Sequence, residues 1–403
     1  MQSILVLTST YPRWQGDTEP AFVHFLSRQL SANYKVIVLA PHYPGSRHKE
    51  TIDGVLVYRF RYSPGFAERL AYDGGIIANL KNNIFKWLLV PFFLTSQLFY
   101  LFFLARKYKV KLIHAHWVIP QGLLAILARK LRLIPGNIRI LCTSHGGDLF
   151  SLQGGLLQSL KRFTFRNADH ATVVSTAMRD HLITMGCDTT NISIQPMGVD
   201  LTRQFIPDRH AVNTRDIIYV GRLVEKKGVS TLIDSIRQLK KDYPEIQATL
   251  VGDGPERASL VQQCIESGIN NQVEFVGSIT NDRVPEFYQS AKIAVVPSII
   301  AKDGDQEGLG LVAVEALGCG CATIVSDLPA LSDVVNHGEN GLVFSAGNAI
   351  ELKDSIRSIL DDESLYSRLV KNSHRSVIEK FDWQPVGKRY IEIIEQCINT
   401  PNT

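Results

Sequence analysis

The chain has 403 residues, of which 45% are hydrophobic and 20% charged, with a formal net charge of +4 at pH 7. That length is too great for one core and suits about two domains, and the ordinary globular composition excludes extensive disorder. The cysteines (Cys142, Cys187, Cys264, Cys319, Cys321 and Cys397) are scattered with no C-x-x-C pair, which favours reduced thiols and a cytosolic setting over a disulfide framework or a zinc site.

In chain order, the opening run MQSILVLTSTYPRW lacks a basic leader, and Pro12 and Arg13 interrupt it where a signal peptide would still be apolar, so it reads as a buried strand. Short runs rich in Val and Ile then alternate with helix-length segments, the pattern of parallel sheets built from strand-helix-strand units. Strands are predicted at 3–9, 35–41, 55–60, 111–117, 139–146, 171–175 and 192–197, with helical segments such as 21–32, 123–131 and 176–186 between them. The pattern restarts at 216–222, 248–254, 273–278, 293–298, 322–327 and 341–346. The expected fold class is therefore α/β, with two Rossmann-like doubly wound domains, 1–200 and 201–380, joined through the polar stretch 199–214. The last piece, 381–403, reads as a helix whose apolar stripe must pack on something.

One segment stands apart. Residues 87–105, WLLVPFFLTSQLFYLFFLA, carry no formal charge and are long enough to span a bilayer as a helix. They lie, however, between predicted strands 55–60 and 111–117 of one sheet, and with no second span a crossing contradicts the fold. At about 100° per residue, Phe92, Phe93, Phe99, Tyr100, Phe102 and Phe103 fill one half of the helix, and Val90, Leu94, Leu98, Leu101 and Leu104 the other. One sheet face does not cover both halves. Between Asp73 and Asp148 there is no acidic residue, whereas Lys81, Lys86, Arg106, Lys107, Lys109 and Lys111 flank the segment. The expectation is a helix at 84–106 in the membrane interface, with 84–111 facing an anionic membrane surface and Trp87 and Tyr100 at headgroup depth. A helix buried in the domain is the alternative. A basic zone around an apolar helix, rather than around a stacking platform, argues against nucleic acid as a partner.

The densest chemical signal is DQEGLGLVAVEALGCG, residues 305–320. Glu307, Gly308, Leu309 and Gly310 are predicted at a helix start, where free amides and the positive end of the dipole favour an anion such as a diphosphate. Glu315, about two turns on, can reach another part of the same ligand, such as ribose hydroxyls. A capped helix with an acidic first turn is the bland alternative. In YVGRLVEKKGVS, residues 219–230, Arg222 and Lys227 leave the carboxyl end of a strand and offer two cations to phosphate oxygens. Alone, that run would often be a solvated basic turn. The first strand-to-helix loop, STYPRWQGDTEPAFV, contains Gly16 and can bend over a phosphate. His116 in HAHW and His145 in TSHGGDLF, with Asp148 close behind, stand at two strand ends; His145 is the stronger catalytic candidate. Asp303 and Asp305 have a D-x-D spacing, but loop solvation is the default and no metal site is expected.

Taken together, GRLVEKKG, LVGDGP (250–255), EFVGSI (274–279), EGLGLVAVE with its E-x7-E spacing, NHGENGLVF (336–344) and PMGVD (196–200) resemble the retaining GT-B fold glycosyltransferases of family 4, the bacterial polysaccharide-type group 1. The resemblance covers nearly the whole chain. It implies two domains facing a cleft, a C-terminal helix crossing back onto the first domain, and a nucleotide-diphosphate sugar as donor with no further cofactor. It also implies roles: Glu315 on the ribose, Arg222 and Lys227 on the diphosphate, Gly308 to Gly310 on phosphate and sugar, and Gly277 to Ile279 beside the base. Glu307 would contact sugar hydroxyls, Gly16 would close the diphosphate site, and His145 would lie near the transferred sugar, with His116 and Asp148 on the acceptor side. The acceptor is expected to be a lipid-linked or growing polysaccharide glycan, and the enzyme cytoplasmic and peripheral on the inner face of the plasma membrane.

The expected chemistry is retaining and metal-independent. In retaining hydrolases the paired carboxyl groups sit only about 5.5 Å apart, whereas two helical turns at about 5.4 Å each would separate Glu307 from Glu315 by roughly twice that. A same-face substitution through an oxocarbenium-like transition state is expected instead. Alternatives are a nucleotide-sugar epimerase or phosphorylase of the same fold, or an NAD-dependent oxidoreductase suggested by LVGDGPERA, which has only two fingerprint glycines.

Overall fold

The computed structural model describes residues 1–17, 19–151, 154–208 and 213–400. Residues 209–212 of the expected linker, and 401–403 of the expected last segment, lie outside the described residues. The chain divides into two compact units: Met1–Val174, Met178–Gly198 and the chain from Val386 onward form the first, and Ser175–Ala177 with Val199–Pro385 form the second.

In the first unit, β1 (Ser3–Leu7), β2 (Lys35–Pro41), β3 (Lys49–Ile52), β4 (Val55–Phe60), β5 (Leu112–His116), β6 (Arg139–Ser144), β7 (His170–Val173) and β8 (Ile192–Ile194) form one sheet in the order β3-β4-β2-β1-β5-β6-β7-β8. All pairs are parallel except β3 with β4. Every residue of β1 is buried, as a central strand covered on both faces requires. In the second unit, β9 (Arg215–Val220), β10 (Ala248–Val251), β11 (Val273–Gly277), β12 (Ala291–Val296), β13 (Ala322–Ser326) and β14 (Gly341–Phe344) form a parallel sheet in the order β11-β10-β9-β12-β13-β14. Its core joins Ile217, Leu250 and Ile293 of the strands to Leu232 and Ile236 of the helix Val229–Leu239 and to Leu352 and Ile356 of the helix Ala349–Asp361. Parallel strands end on one edge, so each sheet gathers its βα loops there.

The C-terminal helix, Trp383–Asn399, packs on the first unit from Val386 onward. Tyr390 is buried and its hydroxyl donates to the Gln195 carbonyl at 3.3 Å, while Arg389 Nε donates to the Gln195 side chain at 3.1 Å. These contacts give its apolar stripe a place to bury.

The apolar segment differs in detail from the single helix expected over 84–106. A 3-10 turn, Ile84–Leu89, precedes the α-helix Val90–Lys107. Pro91 explains the break, because proline lacks the amide donor a helix interior needs and suits the first turn. By length and composition, 84–107 is the one segment among the described helices that could cross a membrane. Yet the strands before and after it, β4 and β5, lie in one sheet, and Phe93 is buried with its ring 5.0 Å from Phe60 and 5.2 Å from Tyr62. The helix therefore packs along the domain. Phe93, Leu101 and Leu104 make its covered face, whereas Phe92 (62%) and Phe99 (65%) stay exposed, as do Phe102, Phe103, Ile84, Phe85, Trp87 and Leu88.

Candidate active site

In the second unit, the turn after β9 is pressed against the loop after β12. Gly228 makes this possible: it sits at φ +63, and a Cβ there would lie 2.0 Å from the Pro297 carbonyl oxygen. Only glycine fits. The Ile299 amide then donates to the Lys226 carbonyl at 2.8 Å, joining the two loops. Across this junction Lys227 Nζ meets Glu307 Oε2 at 2.5 Å, each side chain 14% exposed, and Lys226 Nζ meets Asp305 Oδ2 at 3.1 Å. Burial works to raise the Glu307 carboxyl, but Lys227 and Lys226 outweigh it and hold it below its usual value. Glu307 is thus a carboxylate with a cation already in place.

Glu307, Gly308 and Leu309 do not open the helix; they lie in the loop before it, and the helix runs Leu311–Gly318 with Gly310 as its left-handed N-cap (φ +85). The left-handed backbone at Gly310, which L side chains rarely adopt, is why glycine turns the chain into the helix here, and Leu331 Cδ2 would also lie 2.4 Å from a Cβ at this position. The two-turn rise between Glu307 and Glu315 consequently loses its basis. Among the described residues, the amides of Gly308, Leu309 and Gly310 donate to nothing in the protein and lead into a helix N-terminus, an arrangement suited to an anion.

Glu315 stands on that helix. Part of its surface is open, but protein surrounds the carboxyl, and burial pushes it up to about 8 against the pull of Lys227. Arg222 is exposed just past β9, and its carbonyl accepts from the Tyr219 hydroxyl at 2.9 Å. Gly277 ends β11 at φ +84, and its carbonyl accepts from the Gly252 amide at 2.9 Å; Ile279 follows, half-buried. Asp305 is engaged by Lys226 across the junction of the two loops, and Asp303 accepts from the Asp305 amide at 3.0 Å within its own loop. The glycines of LVGDGP have a packing reason as well. A Cβ on Gly252 would lie 1.9 Å from the Gly221 carbonyl oxygen, and one on Gly254 would lie 2.3 Å from that of Leu223. Loop packing accounts for them without a nicotinamide cofactor.

In the first unit, His116 ends β5 and His145 follows β6. His116 Nδ1 and His145 Nε2 are 2.9 Å apart with the rings stacked at 5.1 Å, and His114 packs 4.2 Å from His116 on the other side. Burial drives His145 and His114 down to about 3 and His116 well below its usual value, so all three are neutral near neutral pH. In the shared hydrogen bond one neutral ring donates and the other accepts, so His116 restricts the tautomer of His145. Asp148 is buried. It accepts from the Val118 amide at 2.7 Å, from Ser144 Oγ at 2.9 Å and from the His145 amide at 3.1 Å, tying the loops after β5 and β6 together. Phe22 and Trp117 flank the His145 ring at 4.9 and 5.0 Å.

Gly16 lies exposed on the loop after β1, at φ +77 with nothing near its Cβ position. Its neighbours are fixed: Arg13 Nη2 pairs with Asp17 Oδ1 at 2.6 Å, and buried Arg59 donates to the Pro12 carbonyl at 2.7 Å.

Two family models match the chain, Glycosyltransferase Family 4 over residues 21–203 and Glycosyl transferases group 1 over residues 202–376. The chain belongs to the group 1, family 4 glycosyltransferases. This glycosyltransferase is 26% identical over 288 residues to glycogen synthase of Mycobacterium tuberculosis, covering 70% of this chain and 68% of that one. It is 25% identical over 303 residues to N-acetyl-alpha-D-glucosaminyl L-malate synthase of Bacillus anthracis, covering 71% and 74%. Among solved structures it resembles sucrose-phosphate synthase from Thermosynechococcus elongatus (TM-score 0.78, 23% identity, 98% and 99% of the two chains). It also resembles Anabaena HepE in complex with UDP-glucose (TM-score 0.74, 18% identity, 98% and 100%). These likenesses identify the two-domain Rossmann-like architecture as the GT-B fold.

The structure therefore brings Lys227, Glu307, Gly308 to Gly310 and Glu315 of this glycosyltransferase to one edge of the second sheet, and His116, His145 and Asp148 to one edge of the first. Sequence reasoning missed Lys226, which engages Asp305 and helps hold Glu307 ionised. It also missed Lys161, buried with Nζ donating to the Leu149 and Ser151 carbonyls at 2.7 and 2.6 Å and so anchoring the turn behind Asp148. The doubled lysine in VEKKG was visible, but nothing in it assigns one partner to each. Lys161 had no signal, being one cation on an amphipathic helix.

Proposed function

We propose that this glycosyltransferase takes its sugar from a nucleotide-diphosphate donor and transfers it with retention and without a metal ion. The observation that carries the reading is the Lys227–Glu307 pair beside the amides of Gly308 to Gly310, with Glu315 on the helix that follows. The amides and Lys227, with Arg222, supply positive potential where charge develops on the departing diphosphate. Glu315 suits a ribose diol. Complexes of HepE with UDP and with UDP-glucose support a donor of this class for the same fold. A carboxylate engaged by Lys227 is a poor nucleophile, so Glu307 is assigned to holding sugar hydroxyls. The departing phosphate oxygen then helps take the acceptor's proton. Glu307→Ala should lower turnover about a hundredfold or more, with no sugar adduct in the intact mass of wild type or variant. A covalent glycosyl-enzyme would overturn this mechanism.

The same proposal places the enzyme on the anionic cytoplasmic face of a membrane, acting on a lipid-linked or polysaccharide glycan. The exposed rings of Phe92, Phe99, Phe102 and Phe103 support it, because a contiguous exposed aromatic face marks an interaction surface. Phe92→Ser with Phe99→Ser should abolish sedimentation with vesicles of any composition and leave donor binding intact. Unchanged sedimentation would sink the membrane reading.

A further inference from the structure

At the C-terminal end of the aromatic helix, five side chains form a cluster that the transfer chemistry does not use. Tyr58 of β4 and Tyr108, which follows the helix, share a hydrogen bond between their hydroxyls at 2.6 Å. Three exposed lysines surround this pair. Lys35 Nζ is 5.0 Å from the centre of the Tyr108 ring and Lys49 Nζ is 5.6 Å from that of Tyr58. Lys107 Nζ is 5.7 and 5.6 Å from the Tyr58 and Tyr108 rings and 3.5 Å from the Tyr58 hydroxyl. The placement follows from topology. Lys35 opens β2, Lys49 faces Tyr58 across the β3–β4 pair, and Lys107 ends the helix that packs on β2 and β4.

The charge of this cluster is uncompensated. Among the described residues none of the three lysines has an ion pair, and Glu50, the acidic neighbour of Lys49, is taken by buried Arg59 at 2.5 Å. Of the two phenolic protons, one is used between the tyrosines and the other has no acceptor among the described residues, so one hydroxyl donor is spare. Three ammonium groups and an O–H with no carboxylate partner match a phosphate with its several acceptor oxygens. Continuity with the aromatic face says where that phosphate comes from: Lys107 also lies 5.3 Å from the centre of the exposed Phe103 ring, so the cations begin where the exposed rings end. Apolar side chains beside a ring of cations suit acyl chains beside headgroups.

We propose that Lys35, Lys49, Lys107, Tyr58 and Tyr108 form a binding site for the phosphate headgroup of an anionic phospholipid. The site rests on the membrane reading above and deepens it: the aromatic face supplies insertion, and the cluster supplies selectivity for anionic lipid.

The test is sedimentation of the full-length protein with phosphatidylcholine vesicles, with and without phosphatidylglycerol. The variant Lys35→Gln/Lys49→Gln/Lys107→Gln is compared with Lys109→Gln/Lys111→Gln/Arg132→Gln, which removes the same charge from exposed neighbouring positions. The cluster variant should lose about a hundredfold in affinity for the phosphatidylglycerol vesicles, keep its affinity for phosphatidylcholine and melt as wild type does. The control should lose much less. Tyr58→Phe/Tyr108→Phe, which leaves every charge in place, should weaken anionic binding several-fold. Equal losses in the two lysine variants would reduce the cluster to diffuse attraction and overturn the site, while leaving the aromatic face as the docking surface. A wild-type protein that sediments with neither vesicle would overturn both.

Discussion

Glu315 is the residue at which pH acts first. Its carboxyl sits near 8 because burial penalises the charge, so the ligand-free protein holds it protonated at neutral pH. If ribose hydroxyls donate to the carboxylate, donor binding releases a proton, and affinity rises with pH up to about 8 and then levels off. The gain is at most about tenfold per pH unit. Calorimetry in buffers of different ionisation enthalpy checks this, and Glu315→Gln should lose the pH dependence. The buried histidines predict an opposite vulnerability. Their imidazoles are held below the ordinary value of 6.5, so between 6.5 and about 3 the unfolded chain binds more protons than the folded one. Their contribution to stability is complete above 6.5 and is lost as pH falls, by at most about 1.4 kcal/mol per pH unit for each. His114→Gln, which keeps a donor toward Thr143, should show a shallower acid loss in urea melts. The acidic and glycine residues of the second unit were legible at this scale, because EGLGLVAVE fixes both carboxylates within one short run. The partners Lys226 and Lys161 were not, since what they touch is set by loops meeting in space.

Turns decide what the elements can do. Gly228→Ala would drive a Cβ into the Pro297 carbonyl and force a left-handed backbone on alanine, and should cost about 3 kcal/mol or more. Urea denaturation measures it, and because the same turn carries Lys226 and Lys227, donor affinity should fall with stability. On the aromatic helix the two faces should separate cleanly. Phe93→Ala removes a buried ring and should destabilise by about 3–5 kcal/mol, whereas Phe92→Ser should barely move the melt. The helix was legible as apolar on both halves, but which half the sheet covers was not, because Phe and Leu bury equally well. The β3–β4 hairpin was readable and went unread: Asp53 and Gly54 take φ +45 and +82, the backbone that an Asp-Gly turn favours. The helix start at Leu311 rather than Glu307 was hidden for a related reason, since EGLG supplies two glycines and only the folded backbone shows that Gly310 takes the left-handed N-cap conformation.

At the scale of the molecule, the repeated alternation of Val- and Ile-rich runs with helical segments was enough to predict two largely parallel sheets, and each predicted run overlaps an observed strand, while the antiparallel edge strand β3 was not among them. The strand orders were beyond it, because parallel neighbours separated by a helix carry no register signal in sequence. The central claim is that the edge of the second unit carrying Lys227, Glu307 and the Gly308 to Gly310 amides receives a nucleotide-diphosphate sugar. The measurement that bears on it most directly is binding across a panel of nucleotide sugars, with and without EDTA, by wild type and Glu315→Ala. One donor that binds wild type, survives EDTA and is lost in the variant is the predicted result. If no nucleotide sugar binds, or if the bound one is indifferent to Glu315→Ala, the site serves another ligand and the account is wrong at its centre.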